Sequence, residues 1–351
     1  MACHENKHGD HKNFRGLGPF GSLVAGAVMK ALYGILIGFT LLATHAQAFA
    51  QTWPSRPVKL IIPTGPGSAT DVMARLLGDG VARTLGQSIV AENMPGASGI
   101  VAHQAVARAA PDGYTLLFTN TSGMAINLVS FRQLPYDPTR DYAPIAMVCS
   151  QGPQMVSVNA ALPVQTLPEL ITYAKANSGK LSIAFDTTAG AAAFAAKLLN
   201  KRADLGLIEV PYRSVAQMVQ DVASGVNQVM MSSVAAANSV VQAGKVRRIA
   251  VTSERRFPGL PDLPSVSETV PGVVMNGWFA VVAPTGTPKE IVERLNREIA
   301  AYLKGGEIQQ RLLAFGLATE GAGTPESTAE HVRSEQARWR ALARELAIEP
   351  Q

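Results

Sequence analysis

VKLIIPTGPGSATDVMARLLGDGVARTL, residues Val58 to Leu85, decides the fold class. Apart from Lys59, its first five residues are aliphatic, the composition of a strand covered on both faces. The glycine-rich turn Thr64-Gly65-Pro66-Gly67-Ser68 follows. Val72, Met73, Leu76, Leu77, Val81 and Leu85 then recur at three- and four-residue spacing, which gives a helix one buried stripe from about Asp71 onward, with Thr70 or Asp71 as its cap. Strand, turn and helix together form the repeating unit of α/β layers.

The same alternation runs outward from this stretch. Strands are expected at 88–92 and 114–119, with a helix at 102–109 between them, and a charged helix closes the chain from about Glu326 to Leu346. Thr166, Thr287 and Thr324 each stand before a Pro-containing helix start, and Glu169 and Glu290 complete capping boxes with the first two. The segment between Gly152 and Val273 holds its own strands and helices without a low-complexity linker on either side. A second domain inserted into the first explains this: residues 51–151 plus 274–351 form one domain and 152–273 the other, with a cleft between them.

The first fifty residues read as a leader. Lys30 precedes thirteen mostly apolar residues, Ala31 to Ala43, and two small-x-small sites end at Ala48 and Ala50. This is a secretory signal pattern, too short for a membrane span of ~20 apolar residues. Cleavage is expected after Ala50, with Met29 a candidate start, and the exported protein is expected in the periplasm. Removing residues 1–50 leaves 27 basic and 24 acidic side chains, too even a balance for nucleic acid or an anionic membrane. Only Cys149, His103 and His331 remain of the Cys and His, so no disulfide, His-rich zinc site or triad without one of two lone histidines is possible. No catalytic residue, metal or cofactor is expected, and Cys149 reads as a core residue.

Gly65, Gly67 and Thr70 half-match a dinucleotide fingerprint, with Glu92 placed like a ribose acid. The third glycine is missing, however, and Pro66 removes an amide from the cradle. The physics that survives is anion binding at a helix N-terminus. Two further turns repeat it, Asn120-Thr121-Ser122-Gly123 and Asp186-Thr187-Thr188-Ala189-Gly190. Expected ligand residues are thus Thr64, Gly65, Pro66, Gly67, Ser68, Thr70 and Asp71 in the first turn. Thr121, Ser122 and Asn127 come from the second, Thr187, Thr188, Ala189 and Gly190 from the third, and Ser232 follows the strand near Met230.

Several stretches of the chain resemble the Bug family, the periplasmic substrate-binding proteins of tripartite tricarboxylate transporters. WPSRPVKLIIP (Trp53 to Pro63), VAENMPGASG (Val90 to Gly99), ARAAPDGYTLLF (Ala107 to Phe118), LPYDPTRDYAPIA (Leu134 to Ala146) and APTGTPKEIVERLN (Ala283 to Asn296) carry the resemblance. It implies a type II periplasmic binding fold of two doubly wound domains that close on a small carboxylate. It also implies delivery to membrane permease subunits, a monomer with no nucleic-acid partner, and no catalysis. The alternatives are a ligand-binding component feeding a membrane sensor kinase and an exported enzyme. The family's first turn usually reads P-F-A-A-G-G-P-T-D and its third G-N-G-T-S-S-H. Here the Ser pair and the His give way to Ala191, Ala192 and Ala193, and an Asp common in the family is Ser232. Methyls thus replace polar groups, and the expected ligand is a less polar acid, aromatic or short aliphatic, without an ammonium group.

Overall fold

The computed structural model describes residues 53–186 and 190–350; the expected leader and its expected cleavage point after Ala50, and Thr187, Thr188 and Ala189, lie outside the described residues. The aliphatic run that opens the chain forms β1 (Val58–Ile62), buried except at Lys59. It lies parallel between β2 (Ile89–Asn93) and β3 (Thr115–Asn120). Helices α1 (Ala69–Leu85) and α2 (Ile100–Ala107) make the crossovers. A π-helical turn, Ser122–Ile126, leads from β3 into the short α3 (Asn127–Ser130).

The chain then enters β4 (Tyr142–Asn159), eighteen residues long and interrupted by register shifts. Its first part pairs antiparallel with β9 (Asn276–Pro284), ending at Pro153 opposite Asn276. From Gln154 onward it pairs antiparallel with β7 (Val229–Ser233), and from Met155 with β8 (Val246–Val251) on its other edge. β5 (Ser182–Asp186) lies parallel to both β7 and β6 (Ile208–Tyr212). One strand thus belongs to two half-sheets, ordered β2-β1-β3-β9-β4 and β8-β4-β7-β5-β6. Helices α4 (Leu167–Ala176), α5 (Ala191–Ala203), α6 (Val215–Ala223) and α7 (Asn238–Gln242) accompany the second half-sheet. Returning to the first half-sheet, β9 is followed by α8 (Lys289–Leu303), α9 (Gly306–Ala314) and α10 (Pro325–Glu345).

Two helix starts differ from the sequence reading. α1 begins at Ala69, and Ser68, not Thr70 or Asp71, is its cap: the Ser68 hydroxyl accepts from the Asp71 amide at 3.2 Å. Gly67, at φ +79, supplies the left-handed turn that brings Ser68 into place. At α8 the cap is Pro288, and Thr287 instead donates its hydroxyl to the Pro284 carbonyl at 2.7 Å. Thr166 and Thr324 cap α4 and α10 as expected, but no capping box forms at α4, where Glu169 accepts from the Gln165 amide at 2.7 Å instead.

α10 packs on both half-sheets. Val332 belongs to the core around β1, β3 and β9, whereas Trp339, Leu342 and Ala343 lie among the buried residues of α5 and β5. The alanines of α5 let it sit close: Ala192 through Ala196 are all buried, Phe194 among them. Among the described residues no helix is long and apolar enough to cross a membrane.

Candidate functional site

A cavity of about 220 Å³ lies where the carboxyl ends of β1, β3, β5 and β7 meet. Ala69 and Thr70 reach it from the first turn of α1, and Asn120, Thr121 and Ser122 from the end of β3. Ala191 comes from the first turn of α5, and Ser233 and Ala235 from the end of β7. Parallel strands with crossover helices leave such a crevice outside their carboxyl ends, where backbone amides of the following helices point.

The first turn is locked by its own side chains. Thr64 and Ser68 share a hydroxyl–hydroxyl bond of 2.7 Å, and the Asp71 carboxylate accepts from the Gly67 amide at 2.8 Å, Asn93 Nδ2 at 2.8 Å and Arg75 Nε at 2.9 Å. Burial would raise the Asp71 pKa, but the Gly67 amide, Asn93 and Arg75 together hold it below the ordinary value. Asp71 is therefore spent on holding the loop. With Ser68 capping the Asp71 amide, the amides of Ala69 and Thr70 remain at the head of a seventeen-residue helix without an intrahelical acceptor.

A buried aromatic cluster fixes the second turn. His103 accepts at Nε2 from the Thr119 hydroxyl and donates from Nδ1 to the Gly99 carbonyl, both at 2.8 Å. The ring stacks on Tyr136 at 5.0 Å, and the Tyr136 hydroxyl donates to the Gly123 carbonyl at 2.6 Å. Thr121 is tied across to β9, its hydroxyl accepting from the Trp278 amide at 2.8 Å. Ser122 follows, half-buried, on the cavity wall.

At the third turn, α5 starts at Gly190 with no side-chain cap, so the amides of Ala191 to Ala193 lack the partner that Ser68 gives α1. Opposite, β4 passes from one half-sheet to the other beside the start of β9. Gly152, Pro153 and Gln154 line the cavity from β4, and Gly277, Trp278 and Phe279 from β9. Phe315, Gly316 and Leu317 follow α9 and close another side. Gly316 has φ +74, and a Cβ there would come within 2.4 Å of Val234 Cβ, just past β7; no larger residue fits this approach.

Among the described residues no ionisable side chain lines the cavity. Its charge comes from backbone: an α-helix N-terminus carries roughly half a positive charge, and two of them point here. Thr70 and Gln154 are 6% and 9% exposed, and neither side chain has a hydrogen-bond partner among the described residues. Neither is among the sealed polar atoms without a partner, so both open onto the cavity, where a ligand's oxygens could bond them.

The model of the tripartite tricarboxylate transporter family receptor, TctC, matches residues 73–348. The chain belongs to this family. A UPF0065 protein from the tcbD-tcbE intergenic region of Pseudomonas sp. strain P51 is 34% identical over 321 residues, spanning 91% of this chain and 94% of its own. An R. palustris protein solved with adipate superposes at a TM-score of 0.76 with 33% identity, over 85% of this chain and 100% of its own. MatC from Rhodopseudomonas palustris, with bound malate, gives 0.70 and 29% over 83% and 99%. The periplasmic binding protein BugD gives 0.72 and 29% over 85% and 100%. The fold is the mixed α/β fold of periplasmic binding proteins, and this TctC-family chain is a solute-binding protein.

Of the residues expected at the ligand, Thr70, Thr121 and Ser122 line the cavity. The rest of the first turn, Thr64 to Ser68, does not line it, nor does Gly190, whose neighbour Ala191 does. Three others do not line the cavity. Asp71 is committed to the loop, as described. Asn127 points away, its Nδ2 donating to the Ser98 carbonyl and the Tyr136 hydroxyl at 3.2 Å each. Ser232 is buried with its hydroxyl on the Ser233 carbonyl at 3.2 Å, and strand alternation puts Ser233 on the cavity instead. Sequence reasoning missed Gln154, Phe279, Phe315 and Leu317. Their only signal lies in the two crossing segments and the turn after α9, which carry no recognisable motif.

Neither histidine is placed as a catalyst's base in this TctC-family chain. Both nitrogens of His103 are hydrogen-bonded inside the core, and burial drives its pKa down to about 4, the Gly99 carbonyl only partly opposing the shift. His331 lies edge-on to Trp278, 5.3 Å between ring centres, with its pKa lowered by burial. Cys149 is buried in β4.

The His103 shift has a pH consequence. Unfolded histidine titrates near 6.5, and the native ring resists protonation down to about 4. Its contribution to stability is whole above pH 6.5 and is lost as pH falls toward 4, up to roughly 3 kcal/mol. Urea unfolding at pH 7.5 and 4.5 checks this, and His103→Gln should flatten most of the dependence between them.

Proposed function

We propose that this protein is a periplasmic receptor that captures a small carboxylate in the cavity and hands it to the membrane subunits of a tripartite transporter. The two half-sheets act as two lobes, residues 51–151 with 274–351 and residues 152–273, hinged where β4 passes from one to the other beside the start of β9. The observation that carries the reading is the pairing of unpartnered Thr70 and Gln154 with the first-turn amides of α1 and α5 on one cavity. Such a wall offers donors and positive potential to an anion, with no side-chain cation to fix its identity. Adipate and malate in the two R. palustris structures are acids of suitable size. Thr187, Thr188 and Ala189 would complete the α5 side, and the receptor acts as a monomer without cofactor or catalysis.

Calorimetry with a panel of acids and their amides tests the carboxylate reading. At least one acid should bind while its amide does not. Thr70→Val should weaken that acid roughly tenfold or more, the worth of one hydrogen bond to a charged group, while leaving the melting temperature of the unliganded protein within a degree or two. An amide that binds as tightly as its acid refutes the reading.

A further inference from the structure

The cavity walls divide into two kinds. Thr70, Ser122 and Gln154, with the helix amides, make a polar side, whereas Phe279, Phe315 and Leu317 supply apolar surface. Phe118, Phe185, Phe194 and Phe257 are fully buried. Phe279 and Phe315 are only half-buried, and both lie on the cavity. Phe315 is fixed there by the Gly316 approach to Val234, so its ring does not depend on a mobile loop for its place.

Charge and volume narrow the occupant further. Two helix N-termini, each worth about half a unit, sum to roughly one positive charge. That balances one carboxylate. Among the described residues a second would meet no lining Lys, Arg or His to offset its desolvation, while an ammonium would find no lining Asp or Glu. A dry cavity of about 150 Å³ suffices for benzene. The 220 Å³ here leaves room for such a ring with one carboxylate.

We infer that the ligand is a small monocarboxylate on a compact apolar body, with an aromatic ring the best fit and diacids disfavoured. This rests on the carboxylate reading above and deepens it. The carboxylate settles at the α1 and α5 amides with Thr70 and Gln154, and the apolar body covers Phe279, Phe315 and Leu317.

Hexanoate and adipate, which share chain length and differ by one carboxylate, decide the question together with benzoate and benzamide. Titrated into the purified protein, benzoate and hexanoate should each bind at least tenfold more tightly than adipate, with benzoate the tighter of the two. Phe315→Ala should weaken benzoate about tenfold and adipate far less, and Phe315→Leu should restore most of the loss. Adipate binding as tightly as hexanoate overturns the inference and leaves the carboxylate reading intact. Benzamide matching benzoate overturns the carboxylate reading, and the inference falls with it. No measurable heat from any of the three acids overturns the inference directly, without need of a variant that folds.

Discussion

Alanine at position 123 is expected to destabilise the protein by about 3 kcal/mol and to lower its melting temperature by roughly 6 °C or more. A Cβ on Gly123 would lie 2.0 Å from Nε2 of His103 and 2.1 Å from Cε1. The imidazole has nowhere to retreat: it stacks on Tyr136, meets Tyr142 edge-on at 6.2 Å, and holds hydrogen bonds at both nitrogens. The Tyr136 hydroxyl depends on the Gly123 carbonyl as well. Overpacking of this kind forces backbone shifts, and the backbone that must shift carries Thr121 and Ser122. Ligand affinity should therefore fall with stability. Adding His103→Ala to Gly123→Ala should recover part of the loss, because the second change vacates the space the first invades. A melting temperature unmoved by Gly123→Ala would show that the ring is free to swing, contrary to its bonding.

Trp339→Ala should cost about 3–5 kcal/mol, the usual range for a large aromatic deleted from a core. The indole is fully buried and stands edge-on to Phe194 at 4.9 Å. Its Nε1 donates to Glu335 Oε2 at 3.1 Å, and the same oxygen accepts from Trp278 Nε1 at 3.2 Å. One carboxylate thus joins an indole packed on α5 to one on β9. Phe194 lies in the first turn of α5, three residues beyond Ala191 on the cavity wall. Loss of Trp339 should consequently loosen the α5 amides and weaken acid binding beyond what the stability loss explains. Trp339→Phe, which keeps most of the packing and drops the hydrogen bond, should fall by less than half as much. Chemical denaturation of the three proteins alongside calorimetry separates the two effects.

The layer architecture was legible because it depends on short-range patterning. The aliphatic run at 58–62 and the three- and four-residue spacing at 72–85 state their periods directly, and both became elements within two residues of the expected bounds. That strand ends lead into helix starts was legible for the same reason, and Thr70, Ser122 and Ala191 line one cavity. What escaped depends on which partners meet in space. Ser68 won the cap over Thr70 and Asp71 because Asp71 had a stronger use, three donors closing the loop behind it. Ser233 replaced Ser232 through a single step of strand alternation, which no pattern fixes in a run of small and apolar residues. Gln154 and Phe315 are more than 150 residues apart in the chain, and only the passage of β4 beside β9 and the Gly316 approach bring them to one wall.

Because β9 threads between β3 and β4, the first half-sheet is the last to be completed as the polypeptide is made. Every strand of the second half-sheet has emerged by Val251, yet β3 and β4 keep bare facing edges until Asn276–Pro284 arrives. Pairings this distant in sequence are slow to form. The cavity, lined from both half-sheets, is complete only once the final seventy-odd residues are in place.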